Sequence, residues 1–144
     1  MSFSPIGKIT KIIVHNTASD RDTTKFETIR KWHLEKGWAD IGYHYVITGD
    51  GKMHLGRPET AMGAHAVGHN SNTLGVCVTG NFDLQKPLDK QIHTLVQVLA
   101  ALCRRHGLQA DDIIGHRDVN ATSCPGKNMY ARLPEIREKV SKYL

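Results

Sequence analysis

Residues 115–126 carry a histidine, His116, and a cysteine, Cys124, eight positions apart in a stretch rich in polar and turn-forming side chains. Imidazole nitrogen and thiolate sulfur are both good zinc ligands. Zinc takes four ligands in a tetrahedron, all from the protein in a structural site and three plus a water in a catalytic one. The apolar pair Ile113 and Ile114, bounded by Asp111 and Asp112, predicts a strand end that delivers His116. The loop after it must fold back for Cys124 to reach the same centre. At least one more ligand has to come from elsewhere in the chain.

Residues 9–15 are mostly β-branched and apolar, which predicts a buried central strand with His15 at its carboxyl end. Open α/β sheets commonly place their chemistry at that end. Two strand ends and one adjoining loop therefore nominate His15, His116 and Cys124 for a single metal. Nine histidines are present, so spacing alone does not single these out. His33 falls on one face of a helix that a Thr24–Glu27 capping box would open and Gly37 would end, and reads as a core histidine. His93 and His106 belong to a helix over residues 88–106, whose apolar positions repeat at three and four, and read as surface or capping residues. His65 and Asn70 lie in a long loop, residues 56–72, of the kind that often carries function. Lining a cleft and facing solvent are both open for His65.

The remaining pattern places these groups in one domain spanning residues 1–144. Residues 41–48 read as a strand, 49–51 as a turn and 52–55 as the returning arm of a hairpin. Strand alternation would put Tyr43 and Tyr45 on one face and His44 on the other, so that Tyr43 and His44 do not share a site. Residues 73–80 read as a further buried strand, and Pro134 opens a short terminal helix. The order of elements predicts an α/β (α+β) fold, a central mixed sheet flanked by about three helices.

Composition bounds the partners. The 144 residues carry 19 Lys and Arg against 14 Asp and Glu, a modest excess with no basic run longer than Arg104 and Arg105. That argues against DNA or RNA as ligand. Three cysteines, an odd number, argue against a disulfide framework, and Cys77 and Cys103 sit in apolar runs as expected of inert buried thiols. No stretch is long enough for membrane insertion, and the first residues lack the pattern of a signal peptide. Accumulation in a reducing cytoplasm is the expectation.

Five segments occur here in the order of a known family: His15 to Ala18, Gly42 to Tyr45, Gly63 to Ala66, Leu74 through Asp83, and His116 to Gly126. Together they resemble the zinc-dependent N-acetylmuramoyl-L-alanine amidases, which include the amidase-type lysozymes of T-odd phages and the peptidoglycan recognition proteins. The resemblance runs from about residue 9 to residue 137. It implies hydrolysis of the amide joining the lactyl group of N-acetylmuramic acid to L-alanine, with one zinc held by His15, His116 and Cys124. Two neutral imidazoles and one thiolate would leave that metal Lewis-acidic, with one position open. Tyr43 would stabilise the oxyanion or manage the proton of the leaving amine. Thr122 stands where the phage lysozymes carry Lys and matches the catalytic recognition proteins; it offers a hydrogen bond without charge. His65 and Asn70 would shape the muropeptide groove. The resemblance further implies a monomeric phage or prophage endolysin, held in the host cytoplasm before release to the wall, with bacterial peptidoglycan as partner. A peptidoglycan-binding module without catalysis, and an added regulatory contact with a phage RNA polymerase, are the alternatives.

Overall fold

The computed structural model describes residues 3–144. Five strands form one sheet: β1 (Lys11–Asn16), β2 (Tyr45–Ile47), β3 (Met53–Leu55), β4 (Thr73–Val78) and β5 (Ile113–Gly115), in the order β3-β2-β4-β1-β5. Neighbours pair in parallel except β2 and β3, which form the expected hairpin. The sheet is thus mixed, as the element order predicts. β1 lies between β4 and β5, so the carboxyl ends of all three open on one edge, and His15, the residues after β4 and His116 share that edge.

Among the described residues four α-helices complete the domain: α1 (Phe26–Glu35), α2 (Asp89–His106), the single turn α3 (Lys127–Tyr130) and α4 (Leu133–Ser141). Side chains alternate across a strand. Ile12, Val14, Leu74, Val76 and Val78 therefore face α2 and α4, where they meet Leu95, Leu99, Leu102, Ile136 and Val140 in the main core. Leu95 and Leu99 are wholly buried, and each such side chain contributes roughly 1.5–3 kcal/mol. The opposite face carries His15 and Cys77, opposite each other in register, and a much smaller core of Ile29, Ile41, Val46 and Cys77 beneath α1. Most of the fold's apolar burial thus lies on the face away from the candidate ligands.

α2 ends where the sequence requires. Gly107 takes the left-handed conformation, φ 66°, and its N–H donates to the Cys103 carbonyl. At the other end Gln91, fully buried, accepts from the Leu88 N–H at 3.0 Å and donates to the Thr79 carbonyl at 2.9 Å, tying the helix start to the end of β4.

Two local expectations are overturned. The Thr24–Glu27 capping box does not form. α1 starts at Phe26 after Lys25, and the Thr24 hydroxyl donates to Ser19 Oγ at 2.9 Å instead. The ladder of β2 begins only at Tyr45. Before it, residues 43 and 44 are held by separate bonds, His44 N–H to the Gly75 carbonyl and Arg57 N–H to the Tyr43 carbonyl. Without a regular pleat the alternation rule lapses. Tyr43 packs on the Ile29 and Cys77 side, Tyr45 packs on the α2 side, and the His44 ring lies 5.8 Å from that of His65. Tyr43 and His44 thus sit on the same face of the sheet, contrary to the alternation reading.

Candidate active site

Ligand-capable atoms of His15, His116 and Cys124 all lie within 4.8 Å of one another. His15 ends β1, His116 opens the turn immediately after β5, and Cys124 comes back along the following loop. That return is fixed by the Arg117 N–H, which donates to the Cys124 carbonyl at 2.8 Å. Asp83 holds the loop from outside, accepting from the Ser123 hydroxyl at 2.8 Å and the Lys127 N–H at 2.9 Å.

Each histidine presents Nδ1 inward because its Nε2 is engaged behind. The Nδ1 of His15 is 3.7 Å from Cys124 Sγ, while its Nε2 lies 2.8 Å from His65 Nδ1. The Nε2 of His116 lies 2.9 Å from Asn120 Oδ1. Zinc–nitrogen and zinc–sulfur bonds of the usual lengths give a tetrahedral edge of roughly 3.3–3.7 Å, so the His15–Cys124 separation suits a shared ion. The Asn16 N–H donates to Cys124 Sγ at 3.3 Å, a contact that favours thiolate. The donor set, two nitrogens and one sulfur with both rings backed by acceptors, fits zinc with one position left over.

Electrostatics follow from burial. Desolvation, then the neighbouring His65 and His116 rings, hold the His15 imidazolium form far out of reach, and desolvation lowers His116 as well. Both rings are therefore neutral, as metal ligands must be. Burial pushes the Cys124 thiol up to about 11. A cation at the centre would reverse that, because a coordinating thiol is deprotonated outright.

Tyr43 leans on His15 with ring centroids 5.2 Å apart. Burial, with the Cys77 and Cys124 thiols beside it, keeps its phenol protonated well past the usual tyrosine range. Cys77 is fully buried, as expected, and packs in the smaller core beside Tyr43. Cys103 lies buried in the main core. Thr122 is exposed, and its Oγ accepts from the Cys124 N–H at 3.2 Å, leaving its hydroxyl proton free to donate. A groove of about 500 Å³ opens beside His116, walled by Trp38, Ala66, Val67, Asn120 and Thr122.

His65 and Asn70 border this groove, and both also bond within the protein. His65 is only 8% exposed. Its ring continues from His15 to the Thr73 hydroxyl at 3.4 Å, and that hydroxyl donates to the His69 carbonyl at 2.6 Å. The donors run in one direction: His15 Nε2–H to His65, His65 Nε2–H to Thr73, Thr73 O–H to the backbone. Asn70 Oδ1 accepts the His65 and Ala66 N–H groups, both at 3.0 Å, and shapes the loop. Beside any contact with substrate, the structure gives both a supporting role: His65 stands behind His15, and Asn70 holds the His65 loop. Asn120 escaped the sequence reading. Its one visible signal is its place four residues after His116, the length of a helical turn.

The His65 ring has room only because of two glycines. A Cβ on Gly75 would sit 2.6 Å from His65 Cγ, and one on Gly63 would sit 2.6 Å from His65 Cδ2. Gly75→Ala is therefore expected to displace the ring and remove the acceptor behind His15. Such a loss typically weakens metal affinity about 10–100-fold. Competition with a chelator checks this, and unchanged zinc affinity would refute it.

The family model for N-acetylmuramoyl-L-alanine amidase matches residues 5–127. The chain belongs to this family of enzymes. It is 34% identical over 131 residues to the endolysin of Enterobacteria phage T3, spanning 87% of this chain and 85% of that one. It is 35% identical over 126 residues to peptidoglycan-recognition protein SC2 of Drosophila melanogaster, spanning 82% and 68%. Among solved structures, the endolysine N-acetylmuramoyl-L-alanine amidase LysCS from Clostridium intestinale URNW matches with a TM-score of 0.86 at 30% identity, covering 97% of this chain and 88% of that one.

Proposed function

We propose that the protein is a zinc-dependent endolysin that cuts the amide between N-acetylmuramic acid and L-alanine of peptidoglycan, with His15, His116 and Cys124 as the metal ligands. The observation that carries this reading is the convergence of one ligand atom from each of these three residues beside an open groove. Bound there, zinc would supply Lewis acidity toward the scissile carbonyl and a water made acidic enough to attack it.

The chain's own groups do the rest. His15 and His116 stay neutral through burial and so keep their Nδ1 lone pairs available. Tyr43, held as the phenol, donates a hydrogen bond from Oη where negative charge develops, or passes its proton toward the leaving amine. Thr122 adds one neutral hydrogen bond from the groove wall. Trp38 and Val67 line the groove where the substrate would lie. Among the described residues no helix is long and apolar enough to cross a membrane. We take the protein to act on the wall after leaving the cytoplasm of its host, like the phage endolysins it resembles.

Digestion of purified peptidoglycan, followed by mass spectrometry, tests the bond. Stem peptides with a free amino-terminal alanine, beside intact glycan strands, are expected. Release of disaccharide fragments with their peptides still attached would instead mean glycan cleavage. A binding module without catalysis predicts no products at all, and the complete set of three donors favours the enzyme over it.

A further inference from the structure

Asn120 makes two bonds that point in opposite directions. Its Oδ1 faces His116 Nε2 at 2.9 Å, and its Nδ2 donates to the Val67 carbonyl at 3.1 Å. Its own N–H donates to the His116 carbonyl at 3.1 Å, which stands the side chain one turn beyond the ring. Val67 is the tip of the opposing loop, 84% exposed and followed by Gly68 at φ +81°. The flanks of that loop are fastened to their own segment through Asn70 and the His69–Ala66 bond. The tip is fastened across the groove through Asn120.

We propose that Asn120 is a positioning residue that couples occupancy of the metal centre to closure of the groove wall at Val67. The inference rests on the ligand assignment above. A metal on Nδ1 of His116 leaves Nε2 only as N–H, which demands an acceptor. A carboxamide is planar, so turning Oδ1 toward His116 turns Nδ2 toward the Val67 carbonyl. Zinc held at Nδ1 would fix the proton on Nε2, and with it the amide orientation that bonds the Val67 carbonyl. Aspartate at this position can accept from His116 but cannot donate to Val67, so it separates the two bonds.

The test is hydrogen exchange of the backbone amides of residues 65–69 in the full chain, stripped of metal and then titrated with zinc. Zinc is expected to slow exchange there in the wild type. Asn120→Asp is expected to bind zinc within about tenfold of wild type while losing that protection. On a soluble N-acetylmuramoyl peptide its KM should rise about fivefold, the worth of one net hydrogen bond. Asn120→Ala should lose the protection and also about 10–100-fold in zinc affinity. Full zinc-dependent protection in Asn120→Asp would overturn the coupling, and so would a zinc-loaded wild type that exchanges at the metal-free rate. A wild type that binds no zinc would overturn the ligand assignment itself, and this inference with it.

Discussion

Cys124→Ser is expected to abolish zinc binding at stoichiometric metal and to lower wall hydrolysis at least about 100-fold, above the cost of losing an outer-shell partner alone, while the fold persists. A serine hydroxyl ionises far less readily than a thiol and is a poor match for zinc beside two imidazoles. The Asn16 N–H that now meets Cys124 Sγ would still find an oxygen to bond, so the loop keeps its anchor. The fold survives because its main core lies on the other face, between β1, β4 and the helices α2 and α4. Circular dichroism should be unchanged and the melting temperature close to that of metal-free wild type. A serine variant that cuts walls at the wild-type rate would remove Cys124 from the ligand set.

Tyr43→Phe should retain zinc and lose about 10²–10³ in turnover, the usual cost of removing one positioned donor. The phenol lies beside the centre: its ring rests on His15, and burial preserves its proton. Thr122 is exposed and uncharged, and its oxygen is already engaged with the Cys124 N–H. Thr122→Ala should therefore cost less than Tyr43→Phe. Thr122→Lys should be tolerated, because the position borders open groove, and the added cation would make a charge-assisted bond roughly twice as strong as the neutral one. The measurement is the initial rate of wall clearance at matched zinc occupancy. If Tyr43→Phe clears walls as fast as wild type while Thr122→Ala is inactive, the two roles are exchanged.

The convergence of His15, His116 and Cys124 was legible in part: residue type and strand position nominated the three, but with nine histidines present it took the family resemblance to single them out. The supports behind them were not. His15 and His65 are 50 residues apart, and their hydrogen bond exists only where a strand end meets a loop whose path the sequence does not show. Gly63 and Gly75 read as ordinary glycines until the ring between them is seen. Period-two reasoning separates Tyr43 from His44 because it assumes a ladder, and the ladder starts two residues after Tyr43. The missing cap on α1 has a similar cause: Thr24 found a better partner in Ser19, across the loop rather than along the helix.

The positions of the three candidate ligands also set a schedule for synthesis. His15 and Cys124 stand 109 residues apart, and the strand that carries His15 sits between two neighbours, β4 and β5, that both come later in the chain. A nascent chain therefore holds its first donor long before it has a place to put it. At about 5–20 residues per second, translation takes on the order of 5–20 s to bring the last donor out. An incomplete polypeptide stalled anywhere before residue 124 cannot assemble the donor set. The ribosome itself thus acts as the timer that separates making this amidase from arming it.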